Sequence, residues 1–199
     1  MTVTPLIVAL GGTTRLGSTS ERALTVALAH ARTLGCETLT FGSAQMPTEP
    51  YDPSRPARSA AALALVDALR CADGVVIVSP ADHGGVSGLV KNAVDFNEDL
   101  RTDERVYMQG RAVGCIVCAE GPQAMGSTLA SLREFVHSLR GWRTPFGAAL
   151  NSTTQPFGVE GQAADPVALR ACEMVAEEVV AFARMLLAAR QPQLAGQSV

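Results

Sequence analysis

The chain has 199 residues, 47% of them apolar and 18% charged, with a net charge of −3. That length suits one ordinary domain with a real core, and the apolar share excludes a disordered chain. The charge excludes the basic stripe of a nucleic-acid binder and falls short of the strongly acidic face of a dedicated docking electron carrier.

Taken in chain order, Met1–Pro5 carries no basic run and leads into the apolar segment Leu6–Leu10. That segment is too short for a signal-peptide core or a membrane span, so the reading is a cytoplasmic protein with no membrane association. The five cysteines (Cys36, Cys71, Cys115, Cys118 and Cys172) are an odd number, and free thiols are expected. Leu6–Leu10 reads as the first strand. Leu24, Ala27, Leu28, Ala31 and Leu34 share one face of the helix that follows. Cys36–Phe41 is a weaker strand, and Gly42–Pro56 is a long loop. Ala62, Leu65, Val66 and Leu69 mark the second helix. Gly74–Ser79 and Ala112–Cys118 are unbroken apolar runs, as parallel strands covered on both faces require. Between them lie a third helix over Ser87–Asn97, capped by Ser87, and the loop Asp99–Gly110. Leu129, Leu132, Val136 and Leu139 mark the fourth helix, and Thr144–Leu150 is a weaker fifth strand. After the loop Asn151–Ala164, Asp165-Pro166 supplies an N-cap and a first-turn proline. The last helix then buries Cys172, Val175, Val179, Phe182 and Leu186.

Five strands alternating with five helices imply an α/β fold, an open parallel sheet with right-handed crossovers and helices on both faces. Residues 1–190 read as a single domain and 191–199 as a mobile tail. Ligands of such sheets sit beyond the carboxyl ends of the strands, so the loops there are the place to search.

The first of these loops is Gly11-Gly12-Thr13-Thr14-Arg15-Leu16-Gly17-Ser18-Thr19-Ser20. Glycines allow close backbone approach, and the helix start offers free N–H groups and a positive dipole end. The hydroxyls and Arg15 add donors suited to a phosphate monoester. The spacing of Gly12 and Gly17 does not fit the dinucleotide fingerprint, and the Gly-Lys-Ser/Thr of a P-loop is absent. The second loop, Ser79-Pro80-Ala81-Asp82-His83-Gly84-Gly85-Val86-Ser87-Gly88, follows the third strand and forms a second wall.

Together the two loops resemble the NADPH-dependent FMN reductase family. The first resembles its Gly-Ser-x-Arg-x-x-Ser phosphate loop, with Thr13 in place of serine. The second is similar to its Ser-Pro motif at Ser79, Pro80, His83, Gly84, Gly88, Lys91, Asn92 and Asp95. The resemblance spans about residues 3–190. It implies a flavodoxin-like three-layer sandwich of strand order 2-1-3-4-5, FMN at the strand ends, and a homodimer or homotetramer. It maps phosphate contacts to Thr13, Arg15, Ser18 and Ser20, with Gly12 and Thr19 in the same loop. It maps ring contacts to Pro80, Ala81, Asp82, His83 and Gly84, with Gly121 of the loop Ala119–Gly126 at the ring edge.

One departure stands out, because the family usually has tyrosine where this chain has Asp82. A carboxylate there disfavours an anionic reduced flavin, or serves a particular substrate, unless it points to solvent or caps a turn. Other candidates are set aside. Cys115 and Cys118, three apart in a strand, point to opposite faces and cannot form a disulfide or a metal pair. His30 and His137 lack metal-ligand spacing, and no metal site is expected. Lys91 and Asp95 are spaced to pair on one helix. Trp142 and Tyr107 are candidates for a subunit interface only.

No catalytic triad or carboxylate pair is present, so the chemistry belongs to the flavin, with Asp82 and His83 the only protein candidates for a direct part. The implied activity is reduction by NADPH or NADH of free flavin or a small acceptor, such as a quinone, azo or nitro compound or metal oxyanion. Supply of reduced FMN to a monooxygenase is one form of it. The alternatives are a flavodoxin-like electron carrier, an FMN-bearing sensor without turnover, and a biosynthetic flavoenzyme that uses Asp82.

Overall fold

In the computed structural model, which describes residues 3–158 and 164–190, the apolar run after Pro5 forms β1 (Leu6–Gly11) inside a parallel sheet. β1 pairs on one side with β2 (Glu37–Phe41) and on the other with β3 (Gly74–Asp82). β3 pairs in turn with β5 (Ala112–Ala119). The two-residue β4 (Gly85–Val86) folds back antiparallel on the end of β3.

The expected fifth strand, Thr144–Leu150, is broken. Its place beside β5 is taken by β6 (Trp142–Arg143) at the amino-terminal end and β7 (Ala148–Asn151) at the carboxyl end. Pro145 lies in the gap, and a residue without an N–H cannot continue the ladder. The sheet runs β2-β1-β3-β5-β6/β7; with the hairpin strand β4 left out and β6 and β7 counted as one interrupted strand, this is the expected parallel order of second, first, third, fourth and fifth strands. The expected tail, 191–199, lies outside the described residues.

The helices are α1 (Thr19–Thr33), α2 (Ala60–Cys71), α3 (Gly88–Asp95), α4 (Pro122–Ser138) and α5 (Pro166–Arg190). α1 and α5 cover one face of the sheet, and α2, α3 and α4 the other. Along β5, Val113, Cys115 and Val117 enter the second layer while Ala112, Ile116 and Cys118 enter the first. Cys115 and Cys118 are therefore free thiols on opposite faces, each pushed up to about 12 by burial. α5 lies close to the sheet because Gly74 and Gly114 carry no side chain. A Cβ at Gly114 would stand 2.4 Å from Val175 Cγ1, and one at Gly74 2.5 Å from Val179 Cγ1.

Serine begins three of the helices. Ser18, Ser59 and Ser87 accept from the N–H groups of Glu21, Ala62 and Val90, relieving one orphan donor each. Asp165 accepts from Val167 N at 2.9 Å ahead of α5. The third helix is shorter than its apolar pattern suggests. It passes after Asp95 into a 3-10 turn, Phe96–Leu100, where the buried Asn97 side chain donates to the Val94 carbonyl at 2.8 Å. A side chain bonding its own backbone in this way competes with the α-helical ladder.

Two side chains, Asn92 and Arg58, fix the long loop after β2. Asn92 accepts from Tyr51 N at 2.7 Å and donates to the carbonyls of Pro47 (3.2 Å) and Glu49 (3.0 Å). Arg58 grips Asp99 with two bonds of 2.7 and 2.8 Å while lying over the Tyr51 ring.

Candidate functional site

The carboxyl ends of the strands open into a cleft of about 750 Å³. That is within the roughly 300–1,000 Å³ typical of small-molecule sites. One end is the loop between β1 and α1. Thr13 makes a small turn there: its hydroxyl accepts from Arg15 N and donates to the Arg15 carbonyl, both at 3.1 Å. Gly17 N donates to the Glu21 carboxylate at 2.6 Å. Among the described residues, the N–H groups of Thr14, Leu16 and Ser18 have no protein acceptor, and the Arg15 side chain is exposed with no ion-pair partner. Unpaired donors, a guanidinium and a helix start thus lie together in one short loop, and these are the groups an anion site draws on.

The second wall is a β-hairpin that the glycine-rich sequence did not reveal as one. Asp82 pairs with Gly85, and the two residues between them, His83 (φ 53°) and Gly84 (φ 81°), both have positive φ. That is the requirement of the tight turn whose twist matches its strands, and Gly84 meets it without strain. Ser79, fully buried, anchors the returning strand by accepting from Ser87 N at 3.1 Å. Ser127 of α4 ties the hairpin tip by donating to the Gly84 carbonyl at 3.2 Å. Asp82 and His83 are exposed at this rim, and no described hydrogen bond engages either side chain.

The third wall is the start of α4. A Cβ built on Gly121 meets no atom within 4 Å, so the space above it is open. Gly121 has φ −125°, a conformation any residue adopts, so room rather than backbone freedom distinguishes the position.

Of the residues expected from sequence, Thr13, Arg15, Pro80, Ala81, Asp82, His83, Gly84 and Gly121 surround this one cleft. Ser18 and Thr19 instead line an adjoining hollow of about 220 Å³ that shares Arg15 and Ser152 with it. Gly12 and Ser20 are buried, and the Ser18 hydroxyl is committed to capping Glu21. Sequence reasoning did not single out Leu89, Glu120 or Ser152, which also line the cleft. Glu120 and Leu89 flank motifs already in view. Ser152 comes from the end of β7, and nothing in its own surroundings in the sequence marks it. The other histidines are elsewhere: His30 meets Glu177 at 3.1 Å on the α1–α5 surface, and His137 is exposed on α4. Lys91 and Asp95 pair with each other at 2.5 and 2.7 Å.

The model of the NADPH-dependent FMN reductase family matches residues 5–155, a span that takes in all three walls. The chain belongs to that family. Membership makes it an FMN-dependent oxidoreductase with NAD(P)H as electron donor. No curated protein sequence matches the chain. Among solved structures, it is similar to FerB, a flavoenzyme NAD(P)H:(acceptor) oxidoreductase from Paracoccus denitrificans. The TM-score is 0.73 at 15% identity, over 91% of this chain and 98% of that one. RosB with a bound 8-demethyl-8-formylriboflavin-5′-phosphate intermediate gives a TM-score of 0.71 at 16% identity, over 92% and 80%. A Streptococcus pneumoniae flavodoxin gives 0.59 at 14% identity, over 88% and 98%. At these identities the likeness establishes the flavodoxin-like fold. The donor set fits the family's cofactor: free N–H groups and Arg15 suit a phosphate, and the open volume over Gly121 suits a flat ring. Among the described residues no helix is long and apolar enough to cross a membrane.

Proposed function

We propose that the β1–α1 loop holds the FMN phosphate and that the ring lies between the Pro80–Gly84 hairpin and Gly121, open on one side to nicotinamide and acceptor. The observation that carries this reading is the meeting, in one cleft, of unpaired N–H groups beside Arg15 with unfilled space over Gly121. FMN held there would supply hydride acceptance from NAD(P)H and onward electron transfer, chemistry for which the side chains offer no substitute. In this reading Arg15 and the loop N–H groups fix the phosphate end. Pro80 and Ala81 give a rigid edge, and the Ser127–Gly84 bond stops the hairpin from closing over the ring. Gly12 and Thr19 shape the loop, and Ser18 and Ser20 act through the start of α1.

The second substrate in this proposal is a small acceptor or free flavin. Glu21 favours exchange of flavin, because its carboxylate already occupies Gly17 N and opposes an incoming phosphate. A homodimer or homotetramer, and delivery of reduced FMN to a monooxygenase, belong to the same proposal. The test is steady-state NAD(P)H oxidation with FMN, riboflavin or a quinone added in turn. FMN well ahead of riboflavin supports the phosphate loop as drawn. Turnover with riboflavin equal to FMN contradicts it, and quinone turnover without added FMN makes the flavin a retained cofactor.

A further inference from the structure

At the amino-terminal ends of β3 and β5, opposite the cleft, a second cavity of about 450 Å³ lies beside the end of α2. Arg70, Cys71, Asp103, Glu104, Arg105 and Arg111 line it. Arg111 is 1% exposed, and Arg105 is half-buried. The Arg111 guanidinium donates to the carbonyls of Tyr107 (2.8 Å), Gln109 (3.4 Å) and Arg70 (2.8 Å), and its Nε has no partner. Arg105 donates to the carbonyls of Ala72 and Arg70. Arg190, at the end of α5, donates to the Gly110 carbonyl at 3.0 Å.

Every one of these acceptors is neutral. Among the described residues, no carboxylate stands within ion-pair distance of Arg105, Arg111 or Arg190. Of the nearby acids, Asp103 is held by Arg70 at 2.6 Å, Asp73 accepts from Leu6 N at 2.9 Å, and Glu104, exposed at the cavity's edge, makes no ion pair among the described residues. Capping the end of α2 accounts for part of the arrangement. A helix C-terminus carries about half a negative charge, whereas two guanidinium groups meet it here. Burial, together with the neighbouring Arg105 and Arg190 charges, lowers the Arg111 pKa to about 10, and Asp103 and Asp73 offset only part of that shift. A buried charge without a counter-ion is costly, and an anion beside Arg111 and the half-buried Arg105 would relieve that cost.

We propose that this cavity is a binding site for a small oxyanion of the phosphate or phosphomonoester class, held by Arg105 and Arg111. The ligand would lie at the far edge of the sheet from the flavin and would brace the segment 101–111 against the end of α2. It takes no part in the redox step.

Cys71 makes the proposal testable, because it lines the cavity and is exposed while Cys36, Cys115, Cys118 and Cys172 are buried. The experiment measures the rate at which neutral iodoacetamide alkylates Cys71, read by peptide mass, in protein supplied with FMN so that the other anion site is filled. Inorganic phosphate and phenyl phosphate are titrated separately, with ionic strength held constant by sodium chloride. The expected result is saturable protection, roughly tenfold when the anion stands at ten times its Kd. Arg105→Gln should abolish it and leave FMN affinity unchanged. Stronger protection by phenyl phosphate assigns the site to phosphomonoesters, and stronger protection by phosphate assigns it to the free ion. A rate that ignores both anions, or follows ionic strength alone, overturns the proposal. The titration of the unaltered protein decides this even if the variant does not fold.

Discussion

Replacing Arg15 with alanine separates recognition of the phosphate from recognition of the ring. Arg15 is exposed, forms no described ion pair, and contributes only its backbone to the Thr13 turn, so the folded protein loses little without it. Stability should change by no more than about 0.5 kcal/mol, as for other surface positions. A hydrogen bond to a charged group contributes about 1.5–3 kcal/mol. At 1.4 kcal/mol per factor of ten, FMN should bind about 10- to 150-fold more weakly to Arg15→Ala. Riboflavin has the same ring and no phosphate, so its affinity should stay the same. Titration by quenching of flavin fluorescence measures both, and raising the salt concentration should shrink the FMN difference. Equal losses for FMN and riboflavin would refute the reasoning, because they would mean that Arg15 shapes the cleft rather than binding the phosphate.

Three further outcomes follow from the same geometry. Gly121→Val fills open space at an unstrained φ, so thermal melting should fall by only a few degrees, the cost of valine at the N-cap of α4, while flavin affinity falls at least tenfold; undiminished affinity would place the ring elsewhere. Asp82 lies exposed at the cleft rim, where two unit charges about 4 Å apart in water interact by about 1 kcal/mol. Redox titration of Asp82→Asn should therefore show the two-electron potential rising by about 10–20 mV, and an unchanged potential would remove Asp82 from the flavin's electrostatics. Gly114→Ala drives a methyl group into Val175 on α5 and should cost about 1–3 kcal/mol in urea unfolding; a neutral result would mean that α5 can back away from the sheet.

The parallel sheet was legible because β1, β3 and β5 are continuous apolar runs, the pattern of strands covered on both faces. The fifth strand was legible in part: Thr144–Leu150 contains most of β7, and Pro145 was the signal in the sequence that its first half could not continue the ladder. The loop proposed to hold the phosphate drew attention in the sequence at Gly11–Ser20, where residue types and position before a helix coincide. The hairpin at His83–Gly84 was hidden, because its strand β4 is two residues long and gives no alternation to detect. Asn92 shows the other side of the same limit. In the sequence it was only a matching position of the motif, with no role assigned, whereas in the fold its side chain clamps the loop after β2. Ser152 and the Arg105–Arg111 cavity depend on contacts between distant segments, which no local reading supplies.

The most direct test is an absorption spectrum of purified protein mixed with one equivalent of FMN, recorded anaerobically before and after NADPH and then NADH. The account predicts a flavin band near ~450 nm that shifts or sharpens on binding and bleaches within seconds of adding at least one nucleotide. Bound flavin that neither nucleotide bleaches would contradict the assigned hydride transfer and favour an electron carrier or sensor. A spectrum indistinguishable from free FMN, with no retention on gel filtration and no nucleotide oxidation, would contradict the phosphate loop itself.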